Sequence, residues 1–411
     1  MTGKTFSAFS GYGIELEYMI VDRKTHDVRP VADMALHEAC RENGGEICGD
    51  VERGAFGWSN ELVLHVIELK TSGAAKDLAR LASGFHGEVL AINRLLEKHG
   101  CQLAPGAMHP WMVPERETKL WPHDNNEIYD AYNRIFGCKG HGWSNLQSMH
   151  INFPFDGNQE FGRLHAAIRL VLPLLPAIAA SSPYFEGKKG PCMDNRLDFY
   201  RKNQARVPEI AGLIVPEAVF TKAAYEKEIF AKINKAIAPH DTDKILQHEW
   251  LNSRGAIARF DRNAIEIRLI DIQECTAADI GVAALVISLV KNLYEEHHIS
   301  YDAQCAWAAS DLAVILDETI RSAENAMLHA KTYGRVFGIE NAATTRDLVA
   351  TLIEKFLPDA PQECVKALDV IRKQGTLATR MIRAHEKQGE SLEALMRRMG
   401  DCLAHNAPLE A

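Results

Sequence analysis

The sequence predicts an α+β fold that ends in a helical part. Three observations lead there. Short stretches of polar/apolar alternation, of which Ala264–Asp271 (AIEIRLID) is the clearest, are scattered through the first two thirds of the chain. Stretches with helical spacing lie between them. From Thr276 onward nearly every segment is helically periodic.

The elements follow in order. Gly13–Asp22 (GIELEYMIVD) alternates at first and then turns apolar, which predicts a strand. Leu62–Leu69 predicts a second. Ala74–His99 repeats Leu78, Leu81, Phe85, Val89, Ile92 and Leu96 along one side, a helix that Gly100 stops. Ser148–Phe155 (SMHINFPF) alternates again, and Pro154 marks either its end or a sheet edge. Gly162–Ala180 returns to helix. Ser181–Ile214 is a long stretch rich in turn residues, with Arg196, Arg201 and Arg206, and a loop of that length is usually functional or disordered. Pro358 and Pro361 break the helical tail into two blocks. Without a repeat or an evident linker, residues 1–411 are expected to form one large domain, with the sheet in 1–290 and a helical part in 291–411.

Composition narrows the function classes. The chain is 46% hydrophobic and 25% charged, which excludes a globally disordered or fibrous protein. A net charge of −9 argues against a general nucleic-acid binder. The nine cysteines contain no C-x-x-C pair, so neither a disulfide framework nor a zinc ribbon is expected, and a reducing cytoplasm fits. Met1–Ser10 lacks a signal-peptide pattern. Leu164–Ala180 and Ala277–Val290 are the most apolar stretches. Arg169, Pro173 and Pro176 interrupt the first, Asp279 interrupts the second, and both predict buried helices rather than membrane spans.

Alternate residues of a strand share a face. Glu15 and Glu17 therefore point the same way, as do Ser148, His150 and Asn152, and as do Glu266 and Arg268. Alone, the Glu15–Glu17 and Glu266–Arg268 pairs each read as a solvated strand face, and His150 reads as a hydrogen-bonded structural histidine. Together they describe a sheet with one apolar face against helices and one charged face turned toward a ligand. Glu61 and Glu68 strain that picture. Seven residues apart, they fall on opposite faces unless a bulge intervenes or Glu61 precedes the strand. Lys70 shares the parity of Glu68 and would neutralise it. Carboxylates with one imidazole suit a hard divalent cation such as Mg2+, whereas zinc asks for more His or Cys at set spacings. No Walker A and no Rossmann glycine fingerprint occurs, so a nucleotide would bind by other means.

Five segments occur in a familiar order: G-I-E-L-E-Y at Gly13–Tyr18, E-L-V-L-H-V-I-E-L at Glu61–Leu69, M-H-I-N-F at Met149–Phe153, S-S-P-Y-F-E-G at Ser181–Gly187 and I-E-I-R-L-I-D at Ile265–Asp271. The series resembles the glutamate–cysteine ligase type 2 family, which includes bacterial carboxylate–amine ligases, and spans roughly residues 11 to 290. The resemblance implies a glutamine-synthetase-like fold, with a curved, mostly antiparallel sheet as a cradle for ATP and Mg2+ or Mn2+. It implies ATP-dependent amide formation through an acyl phosphate. By position it implies Glu15, Glu17, Glu61, Glu68, His150 and Glu266 as metal ligands. Arg268 and Arg196 are implied beside the transferring phosphate, with Arg259 and Arg254 as further nucleotide-binding candidates. Glutamate and cysteine are the family defaults for acid and amine, and other small carboxylates and amines are equally compatible. A homodimer is left open, and no nucleic-acid or membrane partner is expected. Two alternatives stay open: phosphotransfer to a nitrogen group on a similar sheet, and a relative that binds nucleotide or amino acid without turnover. Trp111, Trp121 and Trp143 are expected in core or lid packing, and Met108–Asn145 is a candidate cover over the site.

Overall fold

Gly13–Asp22 forms strand β1 with the bounds its alternation predicts. The computed structural model describes residues 6–42, 48–327, 333–340 and 342–411. The strands that follow are β2 (Asp50–Arg53), β3 (Phe56–Asn60), β4 (Val66–Thr71), β5 (Cys101–Ala104) and β6 (Ser148–Pro154). Then come the small hairpin β7 (Tyr184–Phe185) and β8 (Lys188–Lys189), and finally β9 (Ala256–Arg259) and β10 (Ala264–Asp271). Apart from the hairpin, they make one eight-stranded sheet in the order β2-β3-β4-β1-β6-β10-β9, with β5 also paired to β1. Every pairing is antiparallel. Pro154 ends β6, which is an interior strand between β1 and β10.

The even-numbered residues of β1 give the sheet its dry face. Ile14, Leu16, Tyr18 and Ile20 are fully buried, in one cluster with Met149, Ile151, Ile265 and Ile267. Helices Leu81–Glu97, Gly157–Val171 and Thr276–Tyr294 cover that face with Phe85, Ile92, Leu164, Ile168 and Ile280. Tyr18 crosses this layer, and its hydroxyl donates to Asp279 Oδ2 at 2.8 Å. The first helix starts later than its spacing predicts. Asp77 caps a 3-10 turn at Leu78–Arg80 by accepting from the Ala79 N–H, and the α-helix proper begins at Leu81.

Helices Gly157–Ala179 and Thr276–Tyr294 are long and apolar enough to cross a membrane by length and composition. Their most apolar windows are 94% and 83% buried inside this fold, which accounts for their composition as core helices. The cysteine expectation needs one correction. Cys40 and Cys48 are joined in a disulfide. The tail is helical as predicted, and Pro358 sits in a 3-10 turn at Leu357–Asp359 that ends one helix block.

Candidate active site

The register of the strands assembles the charged face. Glu17 of β1 stands opposite Glu68 of β4, and Glu68 stands opposite Ser59 of β3. Glu15 stands opposite His150 of β6, and Glu266 of β10 opposite Asn152. Cross-strand partners share a face, so these side chains converge. His150 Nδ1 lies 2.8 Å from Glu15 Oε2, and Asn152 Nδ2 donates to Glu15 Oε1 at 3.0 Å. The Ser148 N–H and hydroxyl donate to Glu17 Oε2 at 2.6 and 2.9 Å. The Ser59 hydroxyl donates to Glu68 Oε1 at 2.7 Å.

The conflict over Glu61 resolves. β4 starts at Val66, so Glu61 lies in the turn before it and escapes strand parity. It swings onto the same face as Glu68. Among the described residues two groups of potential ligand atoms result, each within 4.8 Å of one another: Glu15, Glu68 and His150, and Glu17, Glu61 and Glu68. Glu68 belongs to both. Lys70 does less than its parity suggested. Its Nζ pairs with Asp50 at 2.6 Å and stands 3.9 Å from Glu68.

The electrostatics are those of an acid cluster short of positive charge. Burial, together with the charges of Glu17 and Glu68, pushes the Glu61 carboxyl well above the usual range. Burial and the charge of Glu15 do the same to Glu68. Glu15 goes the other way. Burial opposes its ionisation, but the His150 hydrogen bond and the charges of His150 and Arg268 hold it down at about 2. His150 rises correspondingly, against its burial. An oxygen-rich donor set with one imidazole, crowded enough that two of its acids favour a proton, fits a hard divalent cation. A cation there would replace those protons.

The arginines sort into two kinds. Arg268 Nε stands 3.0 Å from Glu266 Oε1 without hydrogen-bond alignment, so its donors are not spent there. Arg259 Nη1 stands 3.7 Å from Glu266 Oε2. Arg196 is 1% exposed and bonds Asp271 through Nε. Its buried Nη2 has no partner. Arg254, a nucleotide-binding candidate on sequence, is spent on the protein itself. It grips Glu217 with Nε and Nη2, each at 2.6 Å, and gives Nη1 to Asn252 and to the carbonyls of Glu209 and Ile210. It faces none of the cavity described next and braces the loops around β9 instead.

Glu17, Glu61, His150, Glu266, Arg196, Arg259 and Arg268 all line one cavity of about 510 Å³. That is the size of a small-molecule site. Glu15 and Glu68 adjoin it through the two ligand groups. One wall is aromatic, with Tyr129, Tyr132, Trp143, Tyr200 and Trp250. Tyr132 packs 5.3 Å from Trp143 and 5.9 Å from Trp250, ring centre to ring centre. The segment Met108–Asn145 therefore does reach the cavity, while Trp121 is core, at 1% exposed.

A site with this ligand order has relatives. Residues 12–398 match the family model described as glutamate-cysteine ligase family 2 (GCS2). The chain belongs to that family. It is a ligase, and membership places it among the ATP-dependent carboxylate–amine ligases. An uncharacterized protein of Archaeoglobus fulgidus is 34% identical over 287 residues, covering 69% of this chain and 75% of that one. A Herpetosiphon aurantiacus protein provisionally named glutamate–cysteine ligase 2 is 22% identical over 405 residues, covering 92% of this chain and 89% of its own. Among solved structures, the glutamate–cysteine ligase of Francisella tularensis in complex with AMP shares the fold, with a TM-score of 0.57 at 11% identity over 98% of this chain and 90% of that one.

One residue of this glutamate–cysteine ligase relative escaped sequence reasoning altogether. Asp271 has the parity of Ile265 and Ile267, which face the helices. A β-bulge between Ile267 and Ile270 in the pairing with β6 shifts the register. Asp271 then stands opposite Ser148, on the site's face, and holds Arg196. The only signal for it in the sequence is an acid ending an otherwise apolar row.

Proposed function

We propose that this ligase activates a small amino-acid carboxylate, glutamate by family default, as an acyl phosphate and passes it to an amine. In the first step a carboxylate oxygen attacks the γ-phosphorus of ATP, and the bond to the β-phosphate oxygen breaks to release ADP. In the second step the amine nitrogen attacks the acyl carbon. Phosphate leaves, a proton is lost, and an amide remains. The observation that supports this most is the gathering at one cavity of two ligand groups sharing Glu68 and two incompletely spent guanidiniums, Arg196 and Arg268.

Glu15, Glu17, Glu61, Glu68, His150 and Glu266 are the residues that would hold Mg2+ or Mn2+, and a bound divalent cation supplies charge neutralisation for the phosphates. The chain's own part is positioning and electrostatic stabilisation, on which phosphoryl transfer chiefly depends. Arg268 and Arg196 present planar donors suited to phosphate oxygens. Glu266 also stands within ion-pair distance of Arg268 and Arg259, at 3.0 and 3.7 Å. No protein nucleophile takes part.

The test is ADP release by the full chain with ATP and Mg2+ across a grid of amino acids and amines. The reading requires ADP to form only when one acid and one amine are both present, with an amide in the product mass spectrum. Release with an amine alone, accompanied by a phosphorylated nitrogen product, would replace it with phosphotransfer.

A further inference from the structure

We propose that Asp271 is a positioning residue that aims Arg196 at the nucleotide's phosphates, and that the S-S-P segment exists to hold Asp271. The proposal rests on the ATP reading above and goes beyond it by giving Asp271 and the S-S-P motif a role.

The carboxyl of Asp271 is fully committed. Oδ1 accepts from Arg196 Nε. Oδ2 accepts from the Ser181 N–H at 2.8 Å and from the Ser182 hydroxyl at 3.0 Å. The Arg196 N–H in turn donates to the Ser182 hydroxyl oxygen at 3.1 Å, and Asp194 caps the short helix that carries Arg196 by accepting from the Leu197 N–H at 2.8 Å. Ser181, Ser182, Asp194, Arg196 and Asp271 are each no more than 1% exposed. The guanidinium thus has one edge clamped in the protein. Nη1 is only loosely engaged, 3.5 Å from the Arg268 carbonyl.

What remains is the informative part. Arg196 Nη2 is buried and unpartnered, and the residue lines the cavity. A buried guanidinium nitrogen without an acceptor is costly, since desolvation is not repaid. An anionic ligand in the cavity would supply the acceptor. The clamp also removes in advance the rotamer freedom that a long side chain would otherwise lose on binding. Burial and the nearby charge of Asp271 push the Asp194 carboxyl well above its usual range, and it is Asp271 that the Arg196 guanidinium bonds directly. The bulge in β10 is what makes the clamp feasible, because without it Asp271 would face the helices.

The experiment measures ATP and adenosine affinity by calorimetry, with Mg2+, for the full chain and for Asp271→Asn, Arg196→Ala and the double variant. Loss of a charge-assisted hydrogen bond of this kind is worth ~10–100-fold in affinity. Asp271→Asn should weaken ATP about tenfold, leave adenosine unchanged, and add nothing on top of Arg196→Ala. General damage to the fold would weaken both ligands, and independent roles would add in the double variant. Should Asp271→Asn fail to fold, Ser182→Ala loosens the same clamp and must show the same ATP-only, non-additive loss. Equal ATP affinity in wild type and the folded variants overturns the clamp and leaves the ATP reading standing. A wild type that binds no ATP overturns both.

Discussion

Glu17 and Glu68 stand directly opposite each other on antiparallel strands, and Glu17 lines the cavity that Glu68 adjoins. Like charges in that position destabilise a sheet by roughly 0.2–1 kcal/mol. Such a pair persists where function keeps it. Glu68 also completes the second ligand group with Glu15 and His150. One substitution there should therefore touch both groups.

Glu68→Gln keeps the acceptor for the Ser59 hydroxyl and removes the group that can ionise. In EDTA at neutral pH the variant should be as stable as wild type or more so, by up to about 1 kcal/mol. Added Mg2+ should raise the melting temperature of wild type and leave that of the variant unmoved. Thermal melts with and without Mg2+ check this.

Arg268→Lys exchanges a planar fork for a point charge. Removal of one aligned donor at a developing charge costs about 100-fold or more in turnover. The variant should lose that much in kcat/KM while melting within a few degrees of wild type. Steady-state ADP release and a melt, run together, separate the two effects.

Arg254 should behave in the opposite way. It braces Glu217 and three backbone or amide oxygens outside the cavity. Arg254→Met should destabilise the fold by about 2–3 kcal/mol, below the range for a fully buried pair because Glu217 is half-exposed and regains water. The KM for ATP of the folded fraction should not change. Urea unfolding and substrate saturation curves report each part.

Acid lability should come from buried histidines. Burial holds His65 and His109 at about 4 and His165 at about 3. The unfolded chain binds these protons below about pH 6.5 and the folded chain does not, so stability falls as pH drops from 6.5 toward 3. His165 stacks on Phe161, with ring centres 5.4 Å apart. His165→Phe should regain about 2 kcal/mol at pH 5 and little at pH 8. Urea midpoints at the two pH values give the comparison.

The legible parts of this protein are those where periodicity is uninterrupted. β1 and β10 carry their predicted bounds because each opens on clear alternation, with Glu15 and Glu17 in one and Glu266 and Arg268 in the other, and each ends on an aspartate. The run Leu62–Leu69 misled, since Leu62–His65 is apolar in composition yet lies in a turn without Gly or Pro, and β4 actually begins at Val66. That displacement is also why Glu61 was an anomaly on paper and a neighbour of Glu68 in space. β2, β3, β5 and β9 are four or five residues long, too short to show a period. Asp271 was illegible because a bulge inverts parity and only the partner strand reveals it. Arg254 shows the converse limit, for spacing alone does not tell a phosphate-facing arginine from one saturated by its own loops.

The most direct test of the account is calorimetric binding of ATP to wild type and Glu68→Gln, each in Mg2+ and in EDTA. Wild type should bind ATP in Mg2+ and lose most of that affinity in EDTA, and Glu68→Gln should bind weakly in both. ATP binding that ignores both EDTA and the loss of Glu68 would contradict a cation-dependent nucleotide site on this face of the sheet.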